Sequence, residues 1–140
     1  MSANIKSLNE ICHRYGVAIL YSFGSRAGEV AGLMEARLSQ LPESDSDIDI
    51  GIKFAEKIPS VQQKVALASD LEDFFRCRRV DLVLLEEADP FLALEIVRGT
   101  RLFALDEREA DEYDLFVLRR AGDLIPLERE RAALVMGEGS

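Results

Sequence analysis

Apolar positions recur along the chain with two periods, three-to-four and two, and the switches between them mark the elements. Ile5, Leu8, Ile11, Cys12 and Tyr15 form one stripe on a helix over Asn4–Tyr15, and Gly16 follows where a helix C-terminus favours glycine. Val17–Phe23 (VAILYSF) is a compact apolar run that reads as a buried strand ending at Gly24-Ser25. Between Arg26 and Ser44 the pattern weakens; Val30, Leu33, Met34, Arg37 and Leu38 fit a short helix that ends before Leu41-Pro42. Asp47–Phe54 (DIDIGIKF) alternates acidic or small residues with Ile48, Ile50 and Ile52, the period of a strand with one face on the core.

Ser60 and Gln63 have capping-box spacing, and Val61, Val65, Ala68, Leu71 and Phe75 continue a helical stripe behind them. A third strand follows around Val80–Leu85. Asp89-Pro90 is an N-cap followed by proline in the first turn, opening a helix through Arg98 that Gly99 closes. Arg101–Leu105 fits a short fourth strand. From Glu107 the chain is charged and helical in period, with Tyr113, Phe116 and Val117 as its apolar side. Gly122 and Pro126 are expected to interrupt it, leaving Leu127–Met136 as a further helix or a tail that orders on a partner, with the last four residues frayed. The expected organisation is one domain, a core over residues 1–106 with a helical extension over 107–140.

Composition narrows the function classes. At 140 residues with 48% hydrophobic content, the chain suits a single folded domain with one core. Its apolar runs fall well short of the roughly 20 residues that span a bilayer, and its start lacks the basic and apolar segments of a signal peptide, so the cytosol is the expected compartment. Cys12 and Cys77 read as reduced, small apolar residues, too few for a zinc site, and His13 reads as a surface residue with no catalytic partner. A net charge of −9 disfavours long nucleic acid as the main partner. Phosphate ligands stay open if a divalent metal supplies positive charge.

Three features then fall in order: a strand ending in Gly-Ser, a strand opening with Asp-x-Asp, and a strand carrying one acid. Asp47 and Asp49 are two apart, so on a strand both leave the same face. Val80, Leu82 and Leu84 take the core positions of the third strand and leave Asp81 on the other face. If the two strands are neighbours, three carboxylates converge on an open surface, and hard oxygen ligands so grouped suit Mg²⁺ or Mn²⁺ and a phosphate-bearing substrate. At Gly24-Ser25 the backbone N–H groups have room to approach a phosphate, the Ser25 hydroxyl adds a donor, and Arg26 is a natural triphosphate contact.

As a set, FGSRA at Phe23–Ala27, SDIDI at Ser46–Ile50 and VDLVLL at Val80–Leu85 resemble the DNA polymerase β-like nucleotidyltransferase superfamily, and most closely its minimal nucleotidyltransferase (MNT) branch. The similarity covers roughly Ile5–Leu105. It implies an α+β nucleotidyltransferase fold: a small mixed β-sheet with helices packed on one face and the nucleotide and metal site on the other. It also implies the roles. Gly24 and Ser25 hold the triphosphate, Asp47 and Asp49 bind metal, and Asp81 helps to activate the acceptor hydroxyl as the third metal-site acid. The implied reaction is in-line attack on the α-phosphate of a nucleoside triphosphate, with ATP as the expected substrate and pyrophosphate released. Minimal members commonly pair with a helical HEPN protein and act as antitoxins, by complex formation or by attaching AMP to a tyrosine. From Gly24 to Asp47 is 23 positions, longer than the family's usual spacing, and the excess falls within Glu29–Ser44. Looped out, it leaves the site intact; folded over the cleft, it restricts entry.

Three functions therefore stand side by side: nucleotidyl transfer to a partner protein, a non-catalytic module that masks a partner, and transfer to a cationic small molecule. The last usually needs an additional substrate domain, for which this chain is short.

Overall fold

The structure, a computed structural model, describes residues 3–135, with side chains described for residues 4–124. Helix α1 (Ala3–Tyr15) leads into β1 (Val17–Phe23), followed by α2 (Ala27–Met34), β2 (Ile48–Phe54), α3 (Val61–Phe75), β3 (Val80–Leu84), a short 3-10 turn (Leu85–Glu87), α4 (Pro90–Val97), β4 (Thr100–Ala104) and α5 (Glu107–Val135). The strands form one mixed sheet in the order β3-β2-β1-β4. β1 lies antiparallel to β2 and β4, whereas β2 and β3 run parallel. The parallel pair needs a crossover, which α3 supplies.

Strand alternation splits the core in two. Leu20, Ile48, Ile50, Ile52, Val80 and Leu84 point to one face, where α1, α2 and α3 bury Leu8, Val30, Leu67, Leu71 and Phe75 against them. Ile19, Tyr21 and Phe23 point to the other, under Ala93 and Ile96 of α4 and Ala110 and Val117 of α5. The fold class is the expected α+β, but the second face is shared rather than bare: α4 and α5 cover one part of it, and the acids of β2 and β3 occupy another. Close approach of α4 depends on Gly51, where an added Cβ would collide with Ile96.

Local chemistry sets the element ends. Ser60 caps α3 by a capping box with Gln63, and Asp89 accepts from the Phe91 and Leu92 amides ahead of Pro90. Glu72 on α3 accepts from Val80 N at 3.0 Å, holding the turn that starts β3. α5 departs from expectation: it runs as one helix through Gly122 and Pro126, and Leu127–Val135 continues it rather than forming a separate element, with Met136 and the terminal residues outside the described part. Proline removes one i→i−4 bond, but the segment on its C-terminal side, LERERAALV, is rich in strong helix formers.

Candidate active site

Parallel pairing of β2 and β3 sets Ile48 beside Val80 and Asp49 beside Asp81. With Ile48 and Ile50 committed to the first core, Asp49 and Asp81 emerge together on the second face. Asp47 lies one residue before β2, half-exposed, with its carboxylate 3.7 Å from Arg79 Nε. Asp45, two residues earlier, is fully exposed and pairs with Arg78 at 3.1 Å, outside this group.

Antiparallel pairing of β1 and β2 places Phe23 opposite Asp49, so the turn after β1 closes onto the acids. Gly24 has φ +79, in the left-handed region, and a Cβ there would collide with Asp49 Oδ2. Conformation and space therefore both require glycine. Ser25 is exposed at the start of the turn into α2. The N-cap side chain of α2 makes no capping hydrogen bond, so it does not occupy the first-turn amides that suit an anion.

Arg26 does not extend into this opening. It is 5% exposed, and its guanidinium is used within the protein: Nε pairs with Glu29 at 3.0 Å, Nη1 donates to Ser46 O at 3.3 Å and Nη2 to Pro42 O at 2.7 Å. It therefore straps the long β1–β2 connection rather than offering a free cation. Leu41, buried in the first core, anchors the same connection. Glu43, Ser44 and Asp45 then wall a cavity of about 620 Å³ against Arg76, Cys77 and Arg78, on the flank of the acids. Asp81 stays exposed.

The carboxyl of Asp49 is held above its ordinary value, first by burial and then by the charges of Asp81, Asp47 and Glu95. Glu95, on α4, went unread in the sequence. Its available signal was being the single charge in the run Phe91–Val97, but only the docking of α4 on β1 and β2 brings it to the acids.

This donor set fits a hard divalent cation, since it is all oxygen and its most desolvated member is raised by like charge that a cation would relieve. The side chains do not form a closed cage as placed. Among the described residues no group of three His, Cys, Asp or Glu side chains is arranged to hold a metal, and Asp47 leans towards Arg79.

A strand-Gly-Ser turn facing paired strand acids defines a nucleotidyltransferase fold. Residues 6–108 match the family model described as polymerase beta, nucleotidyltransferase, and the chain belongs to that family. Among curated proteins none matches it significantly. Solved structures similar in fold include a toxin–antitoxin complex with AMP-PNP (TM-score 0.64, 18% identity, 98% of this chain and 99% of that one). A second is a tri-AMPylated Shewanella oneidensis HEPN toxin in complex with MNT antitoxin (TM-score 0.62, 18% identity, 98% and 97%). A third is the toxin–antitoxin MntA-HepT (TM-score 0.62, 18% identity, 98% and 97%).

Proposed function

We propose that this chain is a Mg²⁺-dependent nucleotidyltransferase that moves AMP from ATP onto a hydroxyl of a helical HEPN-type partner, acting as its cytosolic antitoxin. The observation that carries the reading is the register of Asp49 with Asp81 directly beside the Gly24 turn. Support for the partner comes from the similar structures, in which a chain of this size and fold sits in a toxin–antitoxin complex.

In this reading the Gly24 and Ser25 turn and the opening of α2 receive the triphosphate. Asp47, Asp49 and Asp81 would hold the metal, which when bound neutralises phosphate charge and polarises the α-phosphoryl group. The acceptor hydroxyl oxygen forms a bond to the α-phosphorus as the bond from that phosphorus to the bridging oxygen breaks, and pyrophosphate leaves. The hydroxyl proton passes to the carboxylate of Asp81, the most exposed of the paired acids and therefore the one an incoming protein hydroxyl meets.

The test is intact-mass spectrometry of the co-expressed partner with wild type and with Asp47→Asn plus Asp49→Asn. One or more added nucleoside monophosphates with wild type alone supports transfer and identifies the base. The ion pair of Asp47 with Arg79 favours a second reading, a binding module that masks the partner without chemistry. An unmodified partner, neutralised equally by both versions, would establish that reading instead.

A further inference from the structure

A nucleoside triphosphate brings about four negative charges to a chain already at −9, and to a site with four carboxylates of its own. Metal offsets part of this; a protein cation at the phosphate tail would offset more. The arginines bordering the acids already have carboxylate or carbonyl partners. Arg26 is buried in its strap, Arg79 lies against Asp47, and Arg78 pairs with Asp45.

Arg98 is placed differently. As the C-cap of α4 it follows Val97, where the chain turns back beside the end of β1. It is exposed and among the described residues forms no ion pair. It lines a cavity of about 520 Å³ together with Gly24 and Ala27 on one side and Phe91, Leu94 and Glu95 on the other. The cavity thus joins the glycine turn, the uncapped start of α2 and a free guanidinium in one space. Its volume lies within the range of small-molecule sites. Phe91 and Leu94 give it apolar walls, and the planar fork of a guanidinium matches phosphate oxygens with two hydrogen bonds.

We infer that this cavity receives the β- and γ-phosphates of the nucleotide and that Arg98, not Arg26, is their arginine ligand. The inference rests on the nucleotidyl-transfer reading and adds the residue that discriminates triphosphate from monophosphate. Glu95, the one acid of α4, lines the same cavity; its carboxylate would repel a phosphate on its own side and leave the side of Arg98 and the α2 opening for the tail.

Calorimetric titration of the purified chain with ATP, ADP and AMP in Mg²⁺ tests this, comparing wild type, Arg98→Ala and Arg98→Lys. Arg98→Ala is expected to weaken ATP binding by about tenfold or more, ADP by less, and AMP by under about twofold. Arg98→Lys, keeping charge but losing the fork, should fall between. Equal losses for AMP and ATP would overturn the assignment by moving Arg98 to the nucleoside end, and unchanged ATP affinity would overturn it outright. If wild type itself fails to bind ATP, the nucleotidyl-transfer reading falls with it, an outcome distinct from a silent Arg98 variant.

Discussion

Arg26 shows how a residue of the right type in the right motif acquires a different task from its surroundings. Next to Gly24-Ser25 it looks like a phosphate ligand, but Glu29 three residues on and the Pro42 and Ser46 carbonyls absorb its donors. The sequence carried a hint in the long connection itself, which needs something to hold it down, but not the partners. Removing the guanidinium strands two carbonyls and a half-buried carboxylate. Arg26→Met is therefore expected to cost about 3 kcal/mol, with about 1 kcal/mol as the floor if water reaches the carbonyls. Urea unfolding measures it. A loss below about 0.5 kcal/mol would mean that the strap does not hold the connection.

At the scale of elements, the strands and their facings were legible because period-two alternation in Ile48–Ile52 and Val80–Leu84 has a single solution once one face is buried. The same argument put Asp49 and Asp81 off the core face of their strands, but only the parallel pairing of β2 with β3 makes them neighbours. Less legible was what covers the second face, since α4 is apolar almost all round and gives no direction of its own. α5 was legible as a helix from Glu107, but its docking was not: Ala110 and Val117 pack into the second core, and a set of polar contacts adds to them. Arg101 on β4 pairs with Glu107 at 3.0 Å, Asp111 at 2.7 Å and Asp114 at 3.3 Å, and the hydroxyl of fully buried Tyr21 donates to Asp114. Helical spacing brings 107, 111 and 114 to one face, but only the fold supplies Arg101 and Tyr21. Burial and Asp114 push the Tyr21 hydroxyl far up, so it remains a donor at every ordinary pH. Asp114→Ala should cost about 2 kcal/mol by stranding that hydroxyl. Adding Tyr21→Phe should recover most of it, because the group left unpaired is then gone. Thermal melting of Asp114→Ala, Tyr21→Phe and the double variant checks this, and full additivity would show that the two side chains are not coupled.

For the whole molecule, charge is the property that ties stability to the site. An excess of nine negative charges opposes compaction everywhere, and the effect concentrates where Asp47, Asp49, Asp81 and Glu95 meet. Asp49 has its folded value raised above the ordinary 3.8, so its favourable share of stability is fully present below that value. That share is lost as pH rises through the raised folded value, and at neutral pH the ionised carboxylate is a net cost. Asp49→Asn in metal-free buffer should therefore raise the melting temperature at pH 7 and lose that advantage towards pH 4. Mg²⁺ is expected to reverse the sign for wild type, because a divalent cation held at the acids would relieve both the repulsion and the burial of charge. Wild type should thus gain more from millimolar Mg²⁺ than from NaCl at equal ionic strength, and Asp47→Asn plus Asp49→Asn should respond equally to both salts. Calorimetric melting across pH 4 to 8 reads both effects in one series. Equal responses of wild type to the two salts would mean that screening, rather than a bound cation, is all these carboxylates require.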